Sequence, residues 1–378
     1  GGTGAGANLF HRFGAFDTRG GITGVSIQSG GYQNVIVGVM SALGTTIDRP
    51  VSLSAPGNLF WLSPGGIQIS GAGGFSNVQH LQLSSATGIR IGGGVFDALG
   101  TTASQAAALV GEPMRGSAGL LSDPARLAAM ALASNGDLNL SDGLLTVDHS
   151  LLLDSQGGHV LLQAAQLQAP MIAVNGQRIA QNGGSLQAIT AAGAGGQVNL
   201  EGGFVLQAGA ISADGTSGGS VNLLAGANLF SGGPITAQGS SGAGGAIRLQ
   251  AGGSLVQSLS SVLNSSGASG GGTIAVQAGD RLFSSASASA IGHGAAAAGG
   301  LIEMSAGTVI LRGASADASG AGGGGAVRIG GGWQGSALSL GGSIAGTVNL
   351  DAGTRLRADA VIQGKGGTVV AWADDTAH

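Results

Sequence analysis

The sequence predicts an all-β protein wound as a right-handed parallel β-helix, or solenoid. Three observations carry this. A glycine-flanked phrase recurs through the C-terminal half, each copy alternates apolar with polar residues, and one copy is too short to bury its own apolar face. Composition agrees. Of 378 residues, 78 are Gly, about three times the usual share. Only 8% are charged and 43% are hydrophobic, so material for a core is present despite the low charge. Collagen is excluded, because Gly is not placed at every third residue and there are only 7 Pro.

The recurring phrase is a Gly pair, a short alternating strand, then a small residue and Gly. It reads GGHVLLQAA at Gly157, GGQVNLEGG at Gly195, GGSVNLLAG at Gly218, GGAIRLQAG at Gly244, GGTIAVQAG at Gly271, GGLIEMSAG at Gly299 and GGAVRIGGG at Gly324. Degenerate copies are expected at Ala345 and Gly366, giving steps of 21–28 residues from Gly195 onward. Val198 and Leu200, Val221 and Leu223, Ile247 and Leu249, Ile274 and Val276, Ile302 and Met304, and Val327 and Ile329 fall on one face. Asn199, Asn222, Arg248, Ala275, Glu303 and Arg328 fall on the other. This is the period of a strand with one buried face. Stacking in register lets each unit cover the next, with parallel strands about 4.8 Å apart. The right hand follows from the handedness of parallel crossovers. Glycine suits the corners, where the chain needs positive φ and room for the adjacent coil.

Residues 101–135 break the pattern. They are rich in Ala and Leu, and Asp123-Pro124 before ARLAAMALA reads as an N-cap with Pro at the first helical position. A short helical insertion is expected there. The organisation is then a cap domain over 1–100, the insertion over 101–135 and Gly-rich repeats over 136–378. The abrupt Gly1-Gly2-Thr3 start suggests a trimmed product. The repeat still running at Gly366–Asp374 predicts further coils or end-to-end association.

Two phrases near the N-terminus stand out in a chain with 9 Phe, 3 Trp and 1 Tyr. One holds Asn8, Leu9, Phe10, His11, Arg12 and Phe13. The other holds Asn58, Leu59, Phe60, Trp61, Leu62, Ser63, Pro64, Gly65, Gly66 and Ile67. Between them lie Asn34-Val35-Ile36 and Ile47-Asp48. This order and spacing resemble the two-partner secretion domain of the filamentous haemagglutinin family, also called the haemagglutination activity domain. That family carries a phrase like GxNLFHSFxxF and a later one like NLFLLNPNGIxFG. Ser63 and Gly65 stand where the family usually has Asn. The resemblance implies that Asn8, Leu9, Phe10, His11, Phe13, Asn34, Asn58, Leu59, Phe60, Trp61, Pro64 and Gly66 form a cap and secretion motif. Physically, the open end of a β-helix exposes unpaired backbone and apolar core, and Phe10, Phe13, Phe16, Phe60 and Trp61 are large enough to plug it.

Function classes can then be narrowed. The net charge is −4 and there is no basic patch, so no nucleic-acid partner is expected. Cysteine is absent, and no run of eighteen apolar residues spans a bilayer. The six His show no metal spacing, with His149 and His159 the nearest approach to a pair. Asp137 with Asp142, or Asp148 with Asp154, are the acids that stacked coils could bring together. A polysaccharide-active enzyme needs such a pair and is the least favoured reading. No cofactor, metal or catalytic residue is expected. The resemblance implies a non-catalytic, adhesin-like exoprotein, secreted to the surface of a Gram-negative cell through an outer-membrane barrel transporter. There it would make host, matrix or self contacts. The alternative is a structural subunit of an extracellular filament, a homopolymer of stacked β-helices.

Overall fold

The computed structural model describes residues 2–91, 94–100 and 135–377. The helical insertion expected over 101–135 therefore lies, but for Asn135, outside the described residues. Among those described, the chain is all β. Its single helical element is one 3-10 turn at Trp333–Gly335, and the strands pair almost entirely in parallel. This is a parallel β-solenoid, as the repeat predicts. The chain divides into two compact units, Gly1–Gly184 and Ser185–His378.

In the first unit, Asn8–Phe13 stacks on Asn34–Val39, which stacks on the second half of Pro50–Leu62. Gly74–Ser84, Ser150–Gln163 and Met171–Asn182 follow in the same column. A second column runs from Phe16–Asp17 through Thr45–Ile47 and Ile67–Ser70 to Leu138–Ser141. Two antiparallel pairings depart from the rule. Thr3–Ala5 folds back on Asn8–Phe13 and covers its free edge. Gly88–Ile91 and Gly94–Asp97 form a hairpin.

In the second unit, Gln197–Gln207 stacks on Ser220–Ser231. Below that, each coil carries separate strands. Ala246–Ala251, Thr273–Ala278, Leu301–Ser305, Ala326–Ile329 and Thr368–Ala371 form one column. Ser254–Gln257, Arg281–Ser284, Thr308–Leu311 and Thr347–Leu350 form the next. A third column of three-residue strands includes Pro234–Thr236, Val262–Asn264, Ser287–Ser289 and Ser315–Asp317. The twelve apolar residues assigned to the inner face, from Val198 to Ile329, are each at most 1% exposed. Burying one such side chain contributes about 1.5–3 kcal/mol. At the corners the backbones touch. A Cβ on Gly244 would collide with the carbonyl oxygen of Ser265, and one on Gly245 with that of Gly219.

The sequence reading needs two corrections. First, the phrase at Ala345 is not a new coil. Thr347–Leu350 stacks on Thr308–Leu311, whereas the phrase at Gly366 stacks on the one at Gly324. The true step is longer because residues 330–346 leave the coil. Second, Glu303 and Ala275 were expected on a solvated face, yet they are 0% and 4% exposed. The 330–346 excursion folds over that face and is tied down there. The Glu303 carboxylate accepts from Ser339 N at 3.0 Å, Ser339 Oγ at 2.8 Å, Leu340 N at 2.7 Å and Arg328 Nη1 at 2.8 Å. Gln277 Nε2 donates to the Leu340 carbonyl at 3.0 Å. A buried carboxylate is tolerable only when paired and hydrogen-bonded to this degree. Trp372 lies against Gly331 and Gly335 of the same excursion.

Candidate functional site

The residues of the two Asn-Leu-Phe phrases are brought together in successive coils of the first unit. Register places Asn8 beside Asn34 and Asn34 beside Asn58. Asn34 Nδ2 donates to Asn8 Oδ1 at 2.8 Å, and Asn58 Nδ2 donates to Asn34 Oδ1 at 2.8 Å. All three are buried, at 0%, 1% and 2% exposure. In a dry setting such a ladder fixes the register of three coils, since a slip by one residue would bury unpaired amides.

The aromatics divide between two faces, and this refines the expectation that all five plug the end. Leu9, Leu59 and Trp61 point into the coil. Phe13 and Phe16 sit above Trp61, with Phe16 edge-on to it at 4.6 Å and Phe13 stacked at 6.5 Å. Phe13 packs edge-on to Phe16 at 5.4 Å, and His11 stacks on Phe13 at 6.1 Å. Trp61 is fully buried beneath them. Burial holds the His11 imidazole below its ordinary pKa.

Phe10 and Phe60 alternate to the outer face. There they join Ile36, Leu62, Ile89, Phe96 and Ala98 in one buried cluster. The hairpin makes this second core. Phe96 packs on Phe10 at 5.2 Å. Arg12 lies over the Phe96 ring at 4.6 Å and donates from Nε to the Asp97 carbonyl at 3.0 Å. Gly38 is needed beneath it, because a Cβ there would come within 2.9 Å of Ala98 Cα. The hairpin was not anticipated. The sequence signal that could have found it is GIRIGGGVFD, two short apolar runs around a glycine turn.

Ser63, which departs from the family pattern, is fully buried and closes the turn into Ile67. Its Oγ donates to the Gly66 carbonyl at 2.8 Å and accepts from Thr45 Oγ1 at 3.0 Å, which in turn accepts from Trp61 Nε1 at 3.0 Å. Gly66 takes φ 98°, a conformation glycine favours. Pro64 and Gly65 complete the turn, where a side chain at Gly65 would strike the Ala42 carbonyl.

Three of the acids considered for catalysis have contacts or a turn position that account for them, and Asp148 is exposed. Asp137 Oδ1 accepts from His159 N at 2.8 Å. Asp142 occupies a left-handed turn at φ 53°. Asp154 is fully buried and accepts from Ser84 Oγ at 3.1 Å. Burial raises its pKa to about 6. In the second unit, Asp214 lines a shallow groove of about 400 Å³ with Gln238, Ser240, Ser266 and His293. Its carboxylate already accepts from Ser212, Thr236 and the Gln238 backbone. No cluster of three metal-ligating side chains occurs among the described residues. No described helix is long and apolar enough to cross a membrane.

The strand pairings define a parallel β-solenoid whose first coils share the buried ladder of Asn8, Asn34 and Asn58. No protein-family model and no curated protein matches the chain. Among solved structures, it is similar to the HMW1 secretion domain from Haemophilus influenzae. The TM-score is 0.63 at 14% identity, over 97% of this chain and 96% of that one. At that identity the likeness shows the fold.

Proposed function

We propose that this chain is the export-directing region of a secreted, non-catalytic β-solenoid exoprotein. Residues 1–100 would serve as the segment recognised by an outer-membrane barrel transporter in two-partner secretion. The repeats over 136–378 would form a surface-exposed shaft with an adhesin-like role. The observation that carries this reading is the coincidence of two facts. The solenoid matches a secretion domain over nearly its whole length, and its first coils are organised around the buried ladder Asn8, Asn34 and Asn58. An Asn ladder beside a second core under the hairpin distinguishes these coils from the Gly-rich repeats, and a transporter needs a distinctive feature to select.

The test is export. The chain, fused to a periplasmic leader, is co-expressed with an outer-membrane barrel transporter of the two-partner secretion type. We expect transporter-dependent appearance in the medium. Replacing Arg12 by Ala to loosen the hairpin, or Asn34 by Ala to break the ladder, should leave the chain in the periplasm. Release without the transporter, or retention of the unmodified chain with it, would overturn the proposal.

A further inference from the structure

The outer column of the Asn ladder does not stop at Asn58. The next residue in register is His80, and the one after it is Ser150. His80 Nδ1 lies 2.8 Å from Ser150 Oγ. The neighbouring His149 is exposed, and its ring centroid lies 5.0 Å from that of His80 with the planes 34° apart. The two histidines are distant in sequence, and the solenoid alone makes them neighbours.

We propose that His80 and His149 form a two-imidazole site for a divalent transition-metal ion of the zinc, nickel and copper class, with water completing the coordination. The geometry argues for it. A metal–nitrogen bond of about 2.0–2.1 Å places each ring centroid roughly 3.2 Å from the ion. Two imidazoles at a tetrahedral or square angle then have centroids about 4.5–5.2 Å apart, and the observed 5.0 Å falls within that span. The arrangement around His80 also suits a ligand. A metal-bound imidazole normally donates its other N–H to a nearby acceptor, which fixes tautomer and ring orientation. Ser150 Oγ lies 2.8 Å from Nδ1 and can accept from Nδ1–H in the tautomer that leaves the Nε2 lone pair for the ion. Ser150 is itself 4% exposed and set by strand register, so the orientation is built in before any ion arrives. Imidazole donors select this metal class over magnesium and calcium, which require oxygen.

The experiment is calorimetric titration of the tag-free chain with Ni2+, Zn2+ and Mg2+ in a non-coordinating buffer. We expect one equivalent of Ni2+ or Zn2+ and no Mg2+. His149→Ala should abolish the site, and Ser150→Ala should weaken it about tenfold, as loss of an orienting partner does. His159→Ala and His293→Ala, altering other exposed imidazoles, should change nothing. A second readout needs no variant: on Zn2+ addition, the ring proton resonances of His80 and His149 should shift together. If the unmodified chain takes up no Ni2+ or Zn2+, if His149→Ala binds as before, or if only other histidines shift, the two rings are merely stacked and the proposal fails.

Discussion

Replacing Asn34 by Ala probes the ladder where it is most constrained. Asn34 is the middle rung. It donates to Asn8 Oδ1 and accepts from Asn58 Nδ2, each at 2.8 Å, and it is 1% exposed. Truncation removes both bonds at once and strands polar groups that water cannot reach. An orphaned buried group costs about 1–3 kcal/mol, so the expected loss is about 2–6 kcal/mol. The internal control is Asn199→Ala. Asn222 Nδ2 donates to Asn199 Oδ1 at 2.9 Å in the same cross-coil manner, but on a part-buried face. Water can replace that bond, so the loss there should stay below about 1 kcal/mol. Urea denaturation followed by Trp61 fluorescence, with Trp333 and Trp372 replaced by Phe, reports on the first unit. Circular dichroism reports on the Asn199 variant. Equal losses for the two variants, or a loss under about 1 kcal/mol for Asn34→Ala, would refute the claim that burial gives the ladder its value.

Gly38→Ala should cost about 1–3 kcal/mol by overpacking against Ala98 and Phe96, and limited proteolysis should show the hairpin cut faster. Ile247→Asp, which places a carboxylate at a 1% exposed position, should lower the melting temperature sharply. Arg248→Asp, which loses hydrogen bonds to Gln250 and Gln277 on the part-buried opposite face, should cost much less in the same assay. Asp154→Asn tests a pH dependence. The folded-state pKa is raised to about 6 from an unfolded 3.8, so the stabilising protonated form is fully present below about 4 and is lost as pH rises through about 6. The wild type should therefore lose up to about 3 kcal/mol across that window. Asp154→Asn should remove that part of the slope and be the more stable chain at pH 7, as measured by urea midpoints. Glu303→Gln should free the 330–346 excursion, since an amide nitrogen would face donors where the carboxylate accepts four hydrogen bonds. New protease cleavage within 330–346 is the readout.

What the sequence makes legible is whatever the coil repeats. Val198 and Leu200 announce the inner face because each later coil places the same residue types at the same phase, and stacking rewards that pattern alone. The Asn-Leu-Phe phrases are equally visible, because large aromatics are rare in this chain. What stays hidden is everything that leaves the coil and returns. Glu303 reads as an outward residue until Ser339, far along the chain, closes over it. Phe10 and Phe60 read as plugs until the hairpin gives the outer face a core of its own. The phrase at Ala345 looks like another coil because alternation does not say which column a strand will join. His80 and His149 fail any spacing rule, because the separation that counts is measured across coils.

The third corner of the second unit has a different consequence. The strand columns on either side hold their register. Between Ala210–Ser212 and Ser220–Ser231, between Ser287–Ser289 and Leu301–Ser305, and in the coils between, the connecting stretch varies from seven to eleven residues. Length is free within this stretch, although the Gly pair that closes it, such as Gly244-Gly245, excludes even a methyl group. The exposed stretch around His293–Ala296 is thus where a foreign loop could be grafted while every rung above and below keeps its partner. A protein with many such coils would carry its inserts as a straight row, one per coil and about 4.8 Å apart. Diversity would accumulate along a single ridge while the rest of the surface stayed fixed.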